Sequence, residues 1–232
     1  MALDSYSGRR GPGALAWRIA AMLRIAPEGA AISLATAVLG VTLLIVGLQW
    51  LGLAVIAAAI IVGTFFRDPD RYPQRIDRVV VSGADGKVVE IAEAALPCSP
   101  AESCRRVSVF MSPLNVHVNR APVGGEVARV AHTPGDFHAA YGDRASEHNE
   151  RNLLVFTDAA GRRHAMVQIA GYLARRIVCR LHARDKIQTG QRIGLIMFGS
   201  RVDHYVPAEY RVTVAVGERV RAGETVIGEL DQ

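Results

Sequence analysis

With 232 residues, half of them hydrophobic and 21% charged, the chain has the length of one catalytic-sized domain plus an appendage. Its net charge of +5 is carried almost wholly by arginine, with lysine only at Lys87 and Lys186, and such a modest basic excess suits an anionic membrane surface. No block of basic residues, zinc-ligand spacing or RNA-binding aromatic motif supports nucleic acid as a partner, and Cys98, Cys104 and Cys179 cannot all pair within one chain; Cys98 and Cys104 could close a loop, but an isolated pair of this kind reads rather as two reduced thiols of a cytosolic domain.

Residues 1–28 form a basic N-terminal segment containing Arg9, Arg10, Arg18 and Arg24. From Gly29 to Phe66 no residue is charged, a run of 38 residues and too long for one ordinary span. Gly47-Leu-Gln-Trp-Leu-Gly52 interrupts it, which predicts two short apolar helices, about residues 30–46 and 51–66, forming a membrane-associated hairpin. Arg67, Arg71 and Arg75 follow it, so positive charge at both ends places both on the cytoplasmic side. The run is too long and begins too late for a cleaved signal peptide. A buried hairpin of a soluble protein is the alternative. Phe65-Phe66-Arg67-Asp68-Pro69-Asp70-Arg71-Tyr72-Pro73 ends the helices, because two prolines cannot continue them.

Residues 67–232 change to short alternating or apolar runs. Strands are expected at 78–82, 86–91, 106–111, 125–132, 152–157, 164–170, 191–198, 201–206, 210–214 and 225–229, a mainly β fold of sandwich or barrel type beside the helical hairpin. The tail from Val216 to Gly228 resembles the turn-rich half of a biotinyl or lipoyl-like barrel. Neither lysine sits at an exposed hairpin tip, which weakens a carrier reading.

Three stretches carry the chemistry. Ser82-Gly-Ala-Asp-Gly-Lys-Val-Val89 puts Asp85 at a tight turn entering a strand. Phe110-Met-Ser-Pro-Leu-Asn-Val-His-Val-Asn-Arg120 starts a turn at Ser112-Pro113 and sets His117 in a strand-like segment. The apolar run Ile193–Phe198 stops at Gly199-Ser200, and a second strand follows through Val202, Tyr205 and Val206. Taken singly, these are a hairpin turn, a packed histidine and a glycine-serine turn. His132-Thr-Pro-Gly-Asp-Phe-His138 matches no defined metal-ligand spacing, so no metal is expected.

Together and in this order, the Phe-Phe-Arg-Asp-Pro exit, Asp85-Gly86, Met111-Ser-Pro…His117, Phe198-Gly-Ser-Arg-Val-Asp203 and Ala222-Gly-Glu-Thr-Val-Ile resemble the phosphatidylserine decarboxylase proenzymes. The length and the Gly-Ser-Arg form look like the short subfamily. The resemblance implies a pyruvoyl cofactor made from Ser200 by cleavage after Gly199, giving a β chain, 1–199, and an α chain, 200–232, that remain together as a heterodimer. The pyruvoyl ketone then forms a Schiff base with phosphatidylserine, whose decarboxylation gives phosphatidylethanolamine at the cytoplasmic face of the cell membrane. No metal or diffusible cofactor is implied. It further implies that His117 assists decarboxylation or protonation and that Asp85 promotes cleavage. Longer relatives carry a second histidine three residues after the first, as part of an Asp-His-Ser triad; here that position is Arg120. His204, four residues beyond Ser200, is the nearest substitute in sequence as the cleavage base, and Arg120 is a candidate for holding a substrate phosphate or carboxylate.

Competing readings are a membrane-anchored adaptor without catalysis and a pyruvoyl decarboxylase of another amine. A serine hydrolase is disfavoured, since no Gly-x-Ser-x-Gly elbow is present.

Overall fold

The structure, a computed structural model, describes residues 24–135, 149–171, 176–197 and 199–231. Arg9, Arg10 and Arg18, residues 136–148 with His138, and Phe198 lie outside the described residues. The chain forms two compact units, residues 1–70 and 71–232.

In the first unit two helices, α1 (Pro27–Ile45) and α2 (Gln49–Phe65), stand side by side. Pro27 at the first turn suits a helix start, where its missing N–H has no partner to lose. Gly47 at φ +91° gives the reversal between the helices. Large apolar side chains remain exposed along both, among them Val38, Ile45, Trp50, Ile60 and Ile61. The helix pair matches the expected hairpin within about three residues at each end.

The second unit is mainly β, as expected. Its strands are β1 (Val79–Val81), β2 (Gly86–Leu96), β3 (Ser99–Met111), β4 (Val118–Arg120), β5 (Gly125–Thr133), β6 (Arg151–Thr157), β7 (Arg163–Ile169), β8 (Ile177–Cys179), β9 (Lys186–Ile187), β10 (Arg192–Ile196), β11 (Ser200–Pro207), β12 (Tyr210–Val212), β13 (Arg219–Val220) and β14 (Val226–Leu230). Eight of them form a curled sheet in the order β13-β2-β3-β11-β7-β6-β5-β9, and two three-stranded sheets, β1-β14-β12 and β4-β10-β8, complete the unit. Successive residues of a strand face opposite ways. The inward face supplies the core: Val109, Val202, Met166, Leu154, Phe156 and Ile196 are essentially inaccessible to solvent.

Two strands are longer than their patterns suggest. β2 and β3 form one hairpin closed by Pro97-Cys98, with Leu96 opposite Ser99. Its end meets β7, where Arg163 Nη2 bonds the Glu102 carboxylate and Ser99 Oγ. All three cysteines are free thiols.

Candidate active site

Antiparallel partners share a face, so the ladder registers place the inward side chains in rows. The outermost row pairs Ser200 with Met111. The next runs Val109, Val202, Gln168, Asn152 and ends at the exposed His132. The third runs Val107, His204, Met166, Leu154, Val130. Ser200 therefore opens a central strand that is paired on both sides, at the rim of a polar second row and above an apolar core.

Ser200 is fully buried, and its hydroxyl donates to Met111 Sδ at 3.4 Å. Gly199 before it has φ +58°, the left-handed region, and no heavy atom lies within 4 Å of where a Cβ would stand. Glycine is needed here for its backbone, not for space. β10 ends at Ile196 and β11 begins at Ser200, so the Gly199–Ser200 peptide lies at the joint between two strands.

The segment 112–117 spans that joint. It leaves Met111, the ladder partner of Ser200, and arrives at His117, whose carbonyl accepts the Ile196 N–H at 3.3 Å. Asn115 Oδ1 ties the turn by accepting from Ser112 N and Ser112 Oγ, each at 2.8 Å. His117 is 2% exposed, and its Nδ1 lies 2.9 Å from the Asn115 carbonyl. A carbonyl only accepts, so Nδ1 carries the proton and the lone pair is on Nε2.

Asp85 sits in the turn between β1 and β2. It forms a bidentate pair with Arg71 and accepts the Ala222 N–H at 2.8 Å. Both side chains are about nine-tenths buried. Arg71 stands at the Asp-Arg-Tyr-Pro exit of the helices, where sequence gave no sign of a partner 14 residues on. Arg120 is buried as well; Nη1 donates to the Gly190 carbonyl at 3.0 Å, and its stem lies against Gly223.

His204 is not brought to Ser200. Four residues of extended strand separate them by roughly 13 Å. Its Nε2 accepts the Gly83 N–H at 2.7 Å, and Nδ1 lies 3.3 Å from the Val107 carbonyl. Both ring nitrogens are thus engaged with backbone. Burial pushes its pKa down to about 4, which keeps the ring neutral. The histidine nearest in sequence is two rows away because a strand, unlike a helix, does not bring i and i+4 together.

On the opposite face of β11, Arg201 and Asp203 form a buried bidentate pair with both bonds at 2.8 Å. Several polar groups around Ser200 escape a motif reading: Asn119, Gln168, Asn152 and the backbone of Gly83. The signal available for Gln168 was a lone amide between Val167 and Ile169 in the otherwise apolar run Ala165–Ala170.

A model of the family described as phosphatidylserine decarboxylase matches residues 59–228. A phosphatidylserine decarboxylase proenzyme of Mycolicibacterium smegmatis is 45% identical over 219 residues, 92% of this chain and 94% of the relative. Proenzymes of the same description from Solidesulfovibrio magneticus and Desulfotalea psychrophila are 47% and 45% identical, covering 81% and 72% of this chain and 88% and 78% of their own.

Proposed function

This chain belongs to the phosphatidylserine decarboxylase family, and we propose that it cuts itself between Gly199 and Ser200 and then converts phosphatidylserine to phosphatidylethanolamine. The observation that carries the reading is the Gly199–Ser200 joint. A glycine in left-handed conformation precedes a buried serine at the first position of a central strand.

In the cleavage, Ser200 Oγ adds to the Gly199 carbonyl carbon and the C–N bond breaks, leaving an ester and a free amine. Loss of the Ser200 Cα proton then breaks the Cβ–Oγ bond. Gly199 leaves as a carboxylate and residue 200 becomes dehydroalanine, which takes up water and releases ammonia to give the pyruvoyl group. The residues fit this group: a serine, a preceding glycine in left-handed conformation, and flanking strands that hold the new N-terminus. Once formed, the pyruvoyl ketone supplies an electrophile for the substrate amine and a sink for the electrons left as carbon dioxide departs.

The cut falls at a strand end, so the ladders survive it. β11 remains paired with β3 and β7, β13 with β2, and β14 with β1. This supports α and β chains that stay together as a heterodimer. His117, with its lone pair on Nε2, is assigned to proton transfer during decarboxylation. Asp85, held by Arg71 and the Ala222 N–H, is assigned to promoting cleavage, and Arg120 to joining the loops at Gly190 and Gly223. His204 is left out of the base role. The exposed apolar helices, together with arginines before and after them, support attachment at the cytoplasmic face of a membrane.

Intact mass spectrometry of the chain beside Ser200→Ala tests the reading. Two fragments split after Gly199 in the unsubstituted chain alone, the smaller one reducible by borohydride, are expected, with phosphatidylethanolamine formed from phosphatidylserine vesicles. A single uncut chain would overturn self-processing and favour the adaptor reading.

A further inference from the structure

A relay of amides runs under Ser200. Asn152 Nδ2 donates to Gln168 Oε1 at 2.9 Å, Gln168 Nε2 donates to Asn119 Oδ1 at 2.9 Å, and Asn119 Nδ2 donates to the Gly83 carbonyl at 3.3 Å. Each of the three side chains is at most 2% exposed. Polar groups this deep among valines and methionines are costly unless satisfied, and a chain of bonds running one way fixes which end of each amide donates.

The relay ends beside the reactive serine. The second contact of Asn119 Nδ2 is Met111 Sδ at 3.7 Å, and Ser200 Oγ donates to the same sulfur at 3.4 Å. A thioether is a weak acceptor. The serine hydroxyl is therefore aimed without being held by a strong acceptor that it would have to leave before attacking.

We propose that Asn119 is a positioning residue for cleavage of the Gly199–Ser200 peptide. Fixed by Gln168 and Asn152, it holds the Met111 sulfur, and the sulfur orients the Ser200 hydroxyl. The inference rests on the self-processing reading given above. In the step itself, Oγ gives up its proton as it bonds to the Gly199 carbonyl carbon, and the Ser200 nitrogen gains one as the C–N bond breaks. Asn119 exchanges no atoms.

The test follows cleavage of the full chain by intact mass after cell-free synthesis, with each rate taken relative to the unsubstituted chain at the same pH. Asn119→Asp keeps the shape and still accepts from Gln168, but when ionised it has no proton for the sulfur or for Gly83. Its cleavage is expected to be roughly ten-fold slower or more at about pH 8, recovering at about pH 5, where a buried carboxyl keeps its proton and donates it. His204, on the other side of Gly83, stays neutral at both values. Near-UV circular dichroism that matches the unsubstituted chain at both pH values separates positioning from a loss of structure that protonation would also repair. Met111→Leu, a swap of similar volume that cores tolerate, removes the shared acceptor and is expected to slow cleavage comparably. Adding Asn119→Asp to it then changes little, because the two act in series.

Wild-type rates for both single variants, or an Asp variant equally slow at both pH values, would overturn the proposal. If Asn119→Asp does not fold, Met111→Leu decides alone: slowed cleavage supports the proposal and a wild-type rate overturns it. An unsubstituted chain that never cleaves brings down the self-processing reading first, and this inference with it.

Discussion

Ser200 and His204 stand on the same face of β11, two rows apart, and that spacing separates their chemistry. His204 is a buried neutral histidine whose pKa lies at about 4, below the ordinary value of 6.5, because burial penalises the charged ring. The native state thus binds fewer protons than the unfolded chain between those two values, and stability is lost as pH falls from 6.5 toward 4. The loss expected is on the order of 3 kcal/mol, with burial of His164 adding to it in the same direction. Urea unfolding at a series of pH values measures the slope, and His204→Leu should flatten it while lowering stability at neutral pH, since the Gly83 N–H is left unpaired. His117 belongs to a different category. Its assignment to proton transfer predicts that His117→Gln cleaves normally by mass but forms phosphatidylethanolamine about 100-fold more slowly. Cleavage and turnover failing together would instead place His117 in the processing machinery. Motifs alone made Asp85, His117, Gly199 and Ser200 legible. The partners that orient them were not, because Arg71, Met111 and Gln168 reach the site only through strand register and chain reversal.

At the scale of elements, the pattern located every longer strand, and also the three-residue β1 and β12 inside longer expected runs, but missed β8, β9 and β13. β8, β9 and β13 have two or three residues, fewer than a period-two pattern needs to declare itself. The hairpin of β2 and β3 was under-read for another reason. Pro97-Cys-Ser-Pro100 reads as a loop, yet Pro97-Cys98 is a two-residue turn, Pro100 already lies in β3, and the ladder continues past a register shift between Ala95 and Leu96. The helices were plain from apolar length, but how closely they approach was not. Gly40 and Gly52 face each other across the pair: a Cβ at Gly40 would lie 3.1 Å from the Gly52 carbonyl oxygen, and one at Gly52 would lie 2.9 Å from that of Gly40. Gly52→Leu is therefore expected to push α1 and α2 apart by roughly 2 Å or more. Nitroxide labels at exposed Leu34 and Ile61 would report the change by electron spin resonance. An unchanged distance distribution would mean that the close approach does not set the spacing.

At the scale of the whole molecule, the division into units 1–70 and 71–232 separates two demands on the enzyme. Every contact described around Ser200, from Arg71 through β3, β4, β7, β10 and β11, comes from the second unit. Cleavage of the Gly199–Ser200 peptide should then need nothing from the helices. A chain lacking residues 1–66 is expected to cleave within a few-fold of the full-length rate, since the groups that aim the serine are all retained. Substrate supply is the opposite case. Phosphatidylserine resides in a bilayer, and the proposed attachment through the apolar helix pair would keep the site at high effective concentration near it. Turnover on phosphatidylserine vesicles should therefore fall by roughly ten-fold or more without the helices, with loss of vesicle flotation, while turnover on a soluble short-chain phosphatidylserine changes little. Mass spectrometry, flotation and the two substrate assays on one preparation distinguish the outcomes. Loss of cleavage in the shortened chain would give the helices a part in folding the second unit. Unchanged turnover on vesicles would remove them from substrate delivery.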